Sequence, residues 1–114
     1  MFEVSGRVLF YRDAVDMRKS IDGLSVIVAA SLNQPGDGSV YVFCNKTRDK
    51  IKLLYWDRNG FCLWYKRLEK QRFKIPEILG ESLQLKPEEF RWIMDGLDIS
   101  KMSGFKRLEY SQYC

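Results

Sequence analysis

The chemistry in this sequence is concentrated in its middle, and it is cationic and aromatic. Residues 46–74 hold ten bases, Lys46, Arg48, Lys50, Lys52, Arg58, Lys66, Arg67, Lys70, Arg72 and Lys74, against three acids, Asp49, Asp57 and Glu69. That segment is +7 while the whole 114-residue chain is +4, so the remainder is −3. Between the bases lie Tyr55, Trp56, Phe61, Trp64, Tyr65 and Phe73. Cations that neutralise phosphates beside rings that stack on nucleobases make a nucleic-acid surface, and Tyr55, Trp56 and Trp64 are the stacking candidates. The same composition has a structural reading: lysines guard exposed sheet edges, and about half of such rings must be core.

Other chemistries find little support. With no histidine in the chain, a histidine-based triad is impossible. Neither GxxxxGK[ST] nor GxGxxG occurs, so no phosphate-cradling loop is expected. A two-metal nuclease needs a cluster of carboxylates. Asp16 and Asp22 flank a helix start, and Asp49 and Asp57 sit at turns; nothing in that spacing forces them together, and they read as solvated turn residues or caps. Cys44, Cys62 and Cys114 form no CxxC pair, and the first two lie in apolar stretches as small core residues. No catalytic residue, metal ligand, cofactor or small-molecule substrate is expected.

The elements that must position the basic segment follow from periodicity. Gly6 to Arg12 reads as a strand, with Val8, Phe10 and Arg12 on one face and Leu9 and Tyr11 on the other. Asp16 reads as an N-cap, after which Met17, Ile21, Leu24, Val28 and Leu32 form one apolar helical face. Gly23 within that helix costs about 1 kcal/mol relative to Ala, for which close packing on a sheet is the plain reason. The run Val26-Ile27-Val28 also suits a strand. Asn33 to Gly38 is a loop by composition. Three strands follow, Val40–Cys44, Ile51–Trp56 and Phe61–Tyr65. Asn45–Lys50 joins the first two, and a hairpin turn at Asn59-Gly60 joins the last two. In the extended chain Lys46, Arg48, Lys50 and Lys52 share a side. A short strand over about Arg72–Ile75 is stopped by Pro76. Lys86-Pro87-Glu88-Glu89 opens a second helix whose stripe, Phe90, Ile93, Met94 and Leu97, either packs on the sheet or docks a partner.

The predicted fold is α+β, an antiparallel β-meander of about four or five strands with two helices packed against one face of it. The chain is 46% hydrophobic and 30% charged, with sixteen aromatics, enough for one core without disulfides or metal. A single domain over 1–99 and a polar basic tail over 100–114 are expected. No run approaches the ~20 apolar residues of a membrane span. Met1-Phe2-Glu3-Val4-Ser5 lacks the basic-then-apolar pattern of a signal peptide, so a cytoplasmic location is expected.

Several spaced blocks carry a family resemblance. They are Asp16-Met17-Arg18-Lys19 with Ile21-Asp22-Gly23-Leu24, then Val42-Phe43-Cys44-Asn45, Asp49 through Asp57, and Asn59-Gly60-Phe61. Tyr65-Lys66-Arg67-Leu68-Glu69 and Arg72-Phe73, ending in Pro76, complete the series. Over about residues 4–99 the chain resembles the TnpB accessory family of insertion-sequence 66 elements, the second-open-reading-frame-like proteins, which are distinct from the RNA-guided nuclease sharing that name. Where that family commonly has tryptophan before the proline, this chain has Ile75. The resemblance implies a non-catalytic helper of transposition, encoded beside a transposase and a second small protein, which are then its expected partners. With the charge pattern it implies that Lys46–Lys74 touches DNA, joined by Arg18 and Lys19, whose turn could offer backbone N–H groups to phosphate. The other reading of Arg18 and Lys19 is solvated charge beside an N-cap. An alternative of another class is an adaptor that docks the transposase without touching DNA, anchored by Trp64 or Trp92.

Overall fold

The computed structural model describes residues 6–32 and 38–101. Residues 33–37 of the loop expected over Asn33–Gly38, and residues 102–114 of the tail expected over 100–114, lie outside them. Five strands form one sheet: β1 (Val8–Tyr11), β2 (Val40–Cys44), β3 (Lys50–Asp57), β4 (Gly60–Arg67) and β5 (Ser82–Leu85). Their order across the sheet is β4-β3-β2-β1-β5. The α+β class is as expected, and β2-β3-β4 is the expected meander. The sheet is nevertheless mixed, because β1 and β2 run parallel while β5 returns antiparallel on the far side of β1. Helix α1 (Ile21–Ile27), extended by a π turn over Val28–Leu32, makes the crossover that a parallel pair requires.

The two helices lie on opposite faces, not on one as expected. On the α1 face Leu24 and Val28 meet Leu9, Tyr41, Phe43 and Leu54. On the other, Phe90, Ile93 and Met94 of α2 (Pro87–Met94) meet Val8, Phe10, Val42, Ile51 and Leu53. Because side chains alternate along a strand, a sheet whose every residue from Val40 to Cys44 is buried must be covered on both sides.

Four local expectations need correction. Asp16 does not cap α1. The helix starts after Ser20, and Asp16 closes a turn by accepting the Arg18 backbone N–H at 2.9 Å. A Cβ on Gly23 would meet the Lys19 stem at 3.3 Å, so its close neighbour is that side chain and not the sheet. The hairpin loop is Arg58-Asn59, with Arg58 at φ +54°, because Asp57 pairs with Gly60. This register sets Leu54 against Leu63 and Leu53 against Trp64; shifting the loop by one residue would set the leucines against Tyr65 and Lys66. Finally, residues 72–75 form no strand. Phe73 is buried there and its N–H bonds to the Arg48 carbonyl at 2.7 Å. The fifth strand is Ser82–Leu85, whose Leu83 and Leu85 are buried while Gln84 is exposed.

Helix α2 opens with Pro87, and the buried Glu89 carboxylate accepts the Lys86 N–H at 2.9 Å. It ends in a Schellman motif: Gly96 (φ +88°) donates to Ile93 and Leu97 donates to Trp92. The chain therefore leaves the helix before Leu97, which is 44% exposed and not part of the buried stripe.

Candidate nucleic-acid interface

The turn between β2 and β3 is locked by its own side chains. Asn45 Oδ1 accepts the N–H groups of Asp49 and Lys50 at 3.1 and 3.0 Å, and its amide donates to Thr47 Oγ1 and Asp49 Oδ1. Thr47 donates to the same carboxylate at 2.8 Å. These bonds stabilise the ionised form and hold the Asp49 carboxyl down to about 2. Arg48 sits at φ +62° within the turn. The backbone presenting Lys46, Arg48 and Lys50 is thus fixed before any ligand arrives.

Two further segments are tied to this turn. Leu68 N–H bonds to Asp49 O, Phe73 N–H to Arg48 O, and Arg48 Nη1 reaches Ile75 O at 3.4 Å. The exposed Lys70, Arg72 and Lys74 therefore belong to a chain running beside the turn. From the other side, Val15 N–H bonds to Cys44 O. The loop that follows Val15 carries Arg18 and Lys19, with the Arg18 guanidinium forked onto Asp16 at 2.7 and 3.0 Å. That pairing lowers the Asp16 carboxyl to about 2.

Lys46, Arg48, Lys50, Arg67, Lys70, Arg72, Lys74, Arg18 and Lys19 are in this way brought around one end of the sheet, nine cations with Asp13, Asp16, Asp49 and Glu69 among them and Asp98 beside Lys74. Register places Lys50 directly opposite Arg67. Like charges so placed repel, and each leans on a neighbouring acid, Lys50 on Asp49 at 3.4 Å and Arg67 on Glu69 at 2.9 Å.

Three expected bases do not join them. Arg58 sits at the hairpin tip, the length of β3 away, about 23 Å at ordinary strand rise. Lys52 is half-buried, and its ammonium donates to the carbonyls of Met17 and Lys19, both at 2.8 Å. Lys66 points to the opposite face and donates to the Met94 carbonyl in the last turn of α2, at 3.3 Å. Both lysines hold the fold together.

The stacking candidates also divide. Tyr55 and Trp64 pack against the α2-side core. Trp56 is 40% exposed but lies at the hairpin tip, edge-on to Phe61 at 5.0 Å, with its indole N–H on the Arg58 carbonyl. The ring that does reach the basic end is Tyr65, 48% exposed and absent from the stacking candidates. Alternation held the signal, since Tyr65 must face oppositely to Trp64 and pairs with Lys52, whose ammonium stands 5.6 Å from its centroid. Tyr65 lines an open groove of about 620 Å³ between residues 14–18 and the 45–50 turn, with Arg18, Lys46 and Lys50 along it.

Burial pushes the Cys44 thiol up to about 11. Among the described residues no three of His, Cys, Asp and Glu are grouped as metal ligands. No helix among them is long and apolar enough to cross a membrane.

A family model described as IS66 Orf2 like protein matches residues 6–104. The chain is 34% identical over 97 residues to the Sinorhizobium fredii protein y4jC, covering 84% of this chain and 83% of that one. To y4hO of the same organism it is 30% identical over 93 residues, 81% of each. Both relatives are named only as uncharacterized proteins. No solved structure matches it significantly. The blocks that meet at the basic end are those that carried the resemblance, and the chain belongs to the IS66 Orf2-like family of transposition accessory proteins.

Proposed function

We propose that this protein is a non-catalytic accessory factor of transposition that binds DNA through the basic end of its sheet. The observation that carries the reading is the gathering of nine of the expected cations around the 45–50 turn, in excess of the acids among them, Asp13, Asp16, Asp49, Glu69 and Asp98. Such a surface attracts a polyanion. The role expected of the whole Lys46–Lys74 segment, a basic aromatic β-hairpin, thus falls in this reading to the turn between β2 and β3 and the chain beside it. Action in the cytoplasm beside the element's transposase and its second small protein accords with the family. The adaptor reading is less supported, because both proposed anchors, Trp64 and Trp92, pack against the core.

A salt titration of binding to duplex and single-stranded DNA tests the proposal. With about five phosphate contacts, log K against log[salt] slopes at roughly −4.5 for duplex and −3.5 for single strands. Replacing Lys46, Lys50, Lys70 and Arg72 together with Gln flattens the slope by roughly 3 to 4 units. Salt-independent binding, or none, combined with capture of the transposase from nuclease-treated extract, refutes DNA contact and leaves the adaptor.

A further inference from the structure

We propose that the groove beside Tyr65 is a seat for one unpaired nucleotide, so that the DNA this protein prefers is single-stranded. The inference rests on the DNA-binding reading and deepens it.

The groove has the two halves such a ligand needs. One is cationic: Lys46 and Lys50 rise from the locked turn, and Arg18 stands across from them, its side chain 92% exposed. Arg18 is forked onto Asp16, so the one acid along the groove is already neutralised, while the guanidinium keeps donors for a phosphate. Asn45 and Thr47 add polar edges. The other half is a flat, half-exposed ring, Tyr65, positioned by its pairing with Lys52. Ala14, Val15 and Met17 supply an apolar wall. About 620 Å³ is within the range of small-molecule sites and suits one nucleotide.

Strandedness follows from stacking. In a duplex each base is already stacked between neighbours, and its face is hidden from a protein ring. Taking it out costs a few kcal/mol, a cost that an unpaired strand avoids. Exposed cations around the sheet end serve either kind of DNA, but Tyr65 rewards only the unpaired base. Register also places the ring beside the Lys50–Arg67 pair, so a phosphate held by these cations has its own base within reach of Tyr65.

The test is fluorescence anisotropy of the full chain with a labelled oligo-dT and with a duplex of equal length, at one fixed salt concentration. Wild-type protein binds oligo-dT more tightly than duplex. Tyr65→Ala weakens oligo-dT binding roughly 5- to 150-fold and leaves duplex binding and the salt slope unchanged, while Tyr65→Phe, which keeps the ring, stays near wild type. A matched melting temperature for Tyr65→Phe keeps the comparison valid if Tyr65→Ala is destabilised. Equal affinity for both DNAs, with oligo-dT binding insensitive to loss of the ring, overturns the nucleotide seat and leaves the basic-end reading intact. Absence of any salt-sensitive DNA binding overturns both.

Discussion

Replacing Lys52 with methionine separates a structural lysine from a phosphate contact. The substitution keeps the aliphatic stem and removes the ammonium, which donates to two carbonyls at 2.8 Å and so moors residues 17–19 to the middle of β3. A hydrogen bond involving a charged group contributes about 1.5–3 kcal/mol. Lys52 is only half-buried, so solvent competes for both bonds, and a combined loss of about 1–2 kcal/mol is expected. In a domain of this size each kcal/mol moves the melting temperature by about 4–8 °C, so Lys52→Met should melt roughly 5–15 °C below wild type. Lys46→Met, at an exposed position on the turn, should stay within about 0.5 kcal/mol of wild type. Thermal denaturation by circular dichroism reads both. DNA titrations then read the complement: Lys46→Met removes about one contact from the salt slope, and Lys52→Met removes none directly. A Lys52 variant that melts like wild type while flattening the slope would show that this ammonium faces phosphate and that the mooring is wrong.

Three other outcomes follow from the same structure. Asp16 and Asp49 both have carboxyls held at about 2, below the ordinary 3.8, so the stability they contribute is fully present above about pH 4 and is lost as pH falls from 4 towards 2. Asn45→Ala should move the Asp49 titration, followed by NMR, back up towards the ordinary value; an unmoved titration would show that Asn45 is not its main stabiliser. Gly96→Ala places a side chain at φ +88° in the helix-ending motif, and should cost about 1 kcal/mol by chemical denaturation; no cost would mean that α2 ends differently.

Short apolar and aromatic runs bounded by polar turn residues made β2 to β4 legible, as did Pro87 followed by acids for α2. Less legible was whatever depended on contacts distant in sequence. The parallel β1–β2 pairing has no local signature; it follows from the α1 crossover. Ser82-Leu83-Gln84-Leu85 alternates but is only four residues long, and it becomes a strand because β1 offers a free edge. Phe73 looked like a strand residue because the core needs its ring, although its backbone bonds to a turn. Charge showed which segment is basic, yet not which bases are free. Lys52 and Lys66 differ from Lys46 only in having carbonyls of remote segments within reach, Met17 and Lys19 for one and Met94 for the other. Composition does not separate Trp64 from Tyr65, whereas alternation does, because neighbours on a strand face opposite ways.

The mooring by Lys52 grips main-chain oxygen atoms, which every amino acid carries. The identities of Arg18 and Lys19 are therefore decoupled from these two bonds, while Met17 also packs against the core. Arg18 and Lys19 can be exchanged for other side chains without redesigning the anchor, as a tool head is changed on a fixed shank. A relative, or an engineer, could alter what this rim recognises by rewriting a few letters, while the sheet beneath stays as it is.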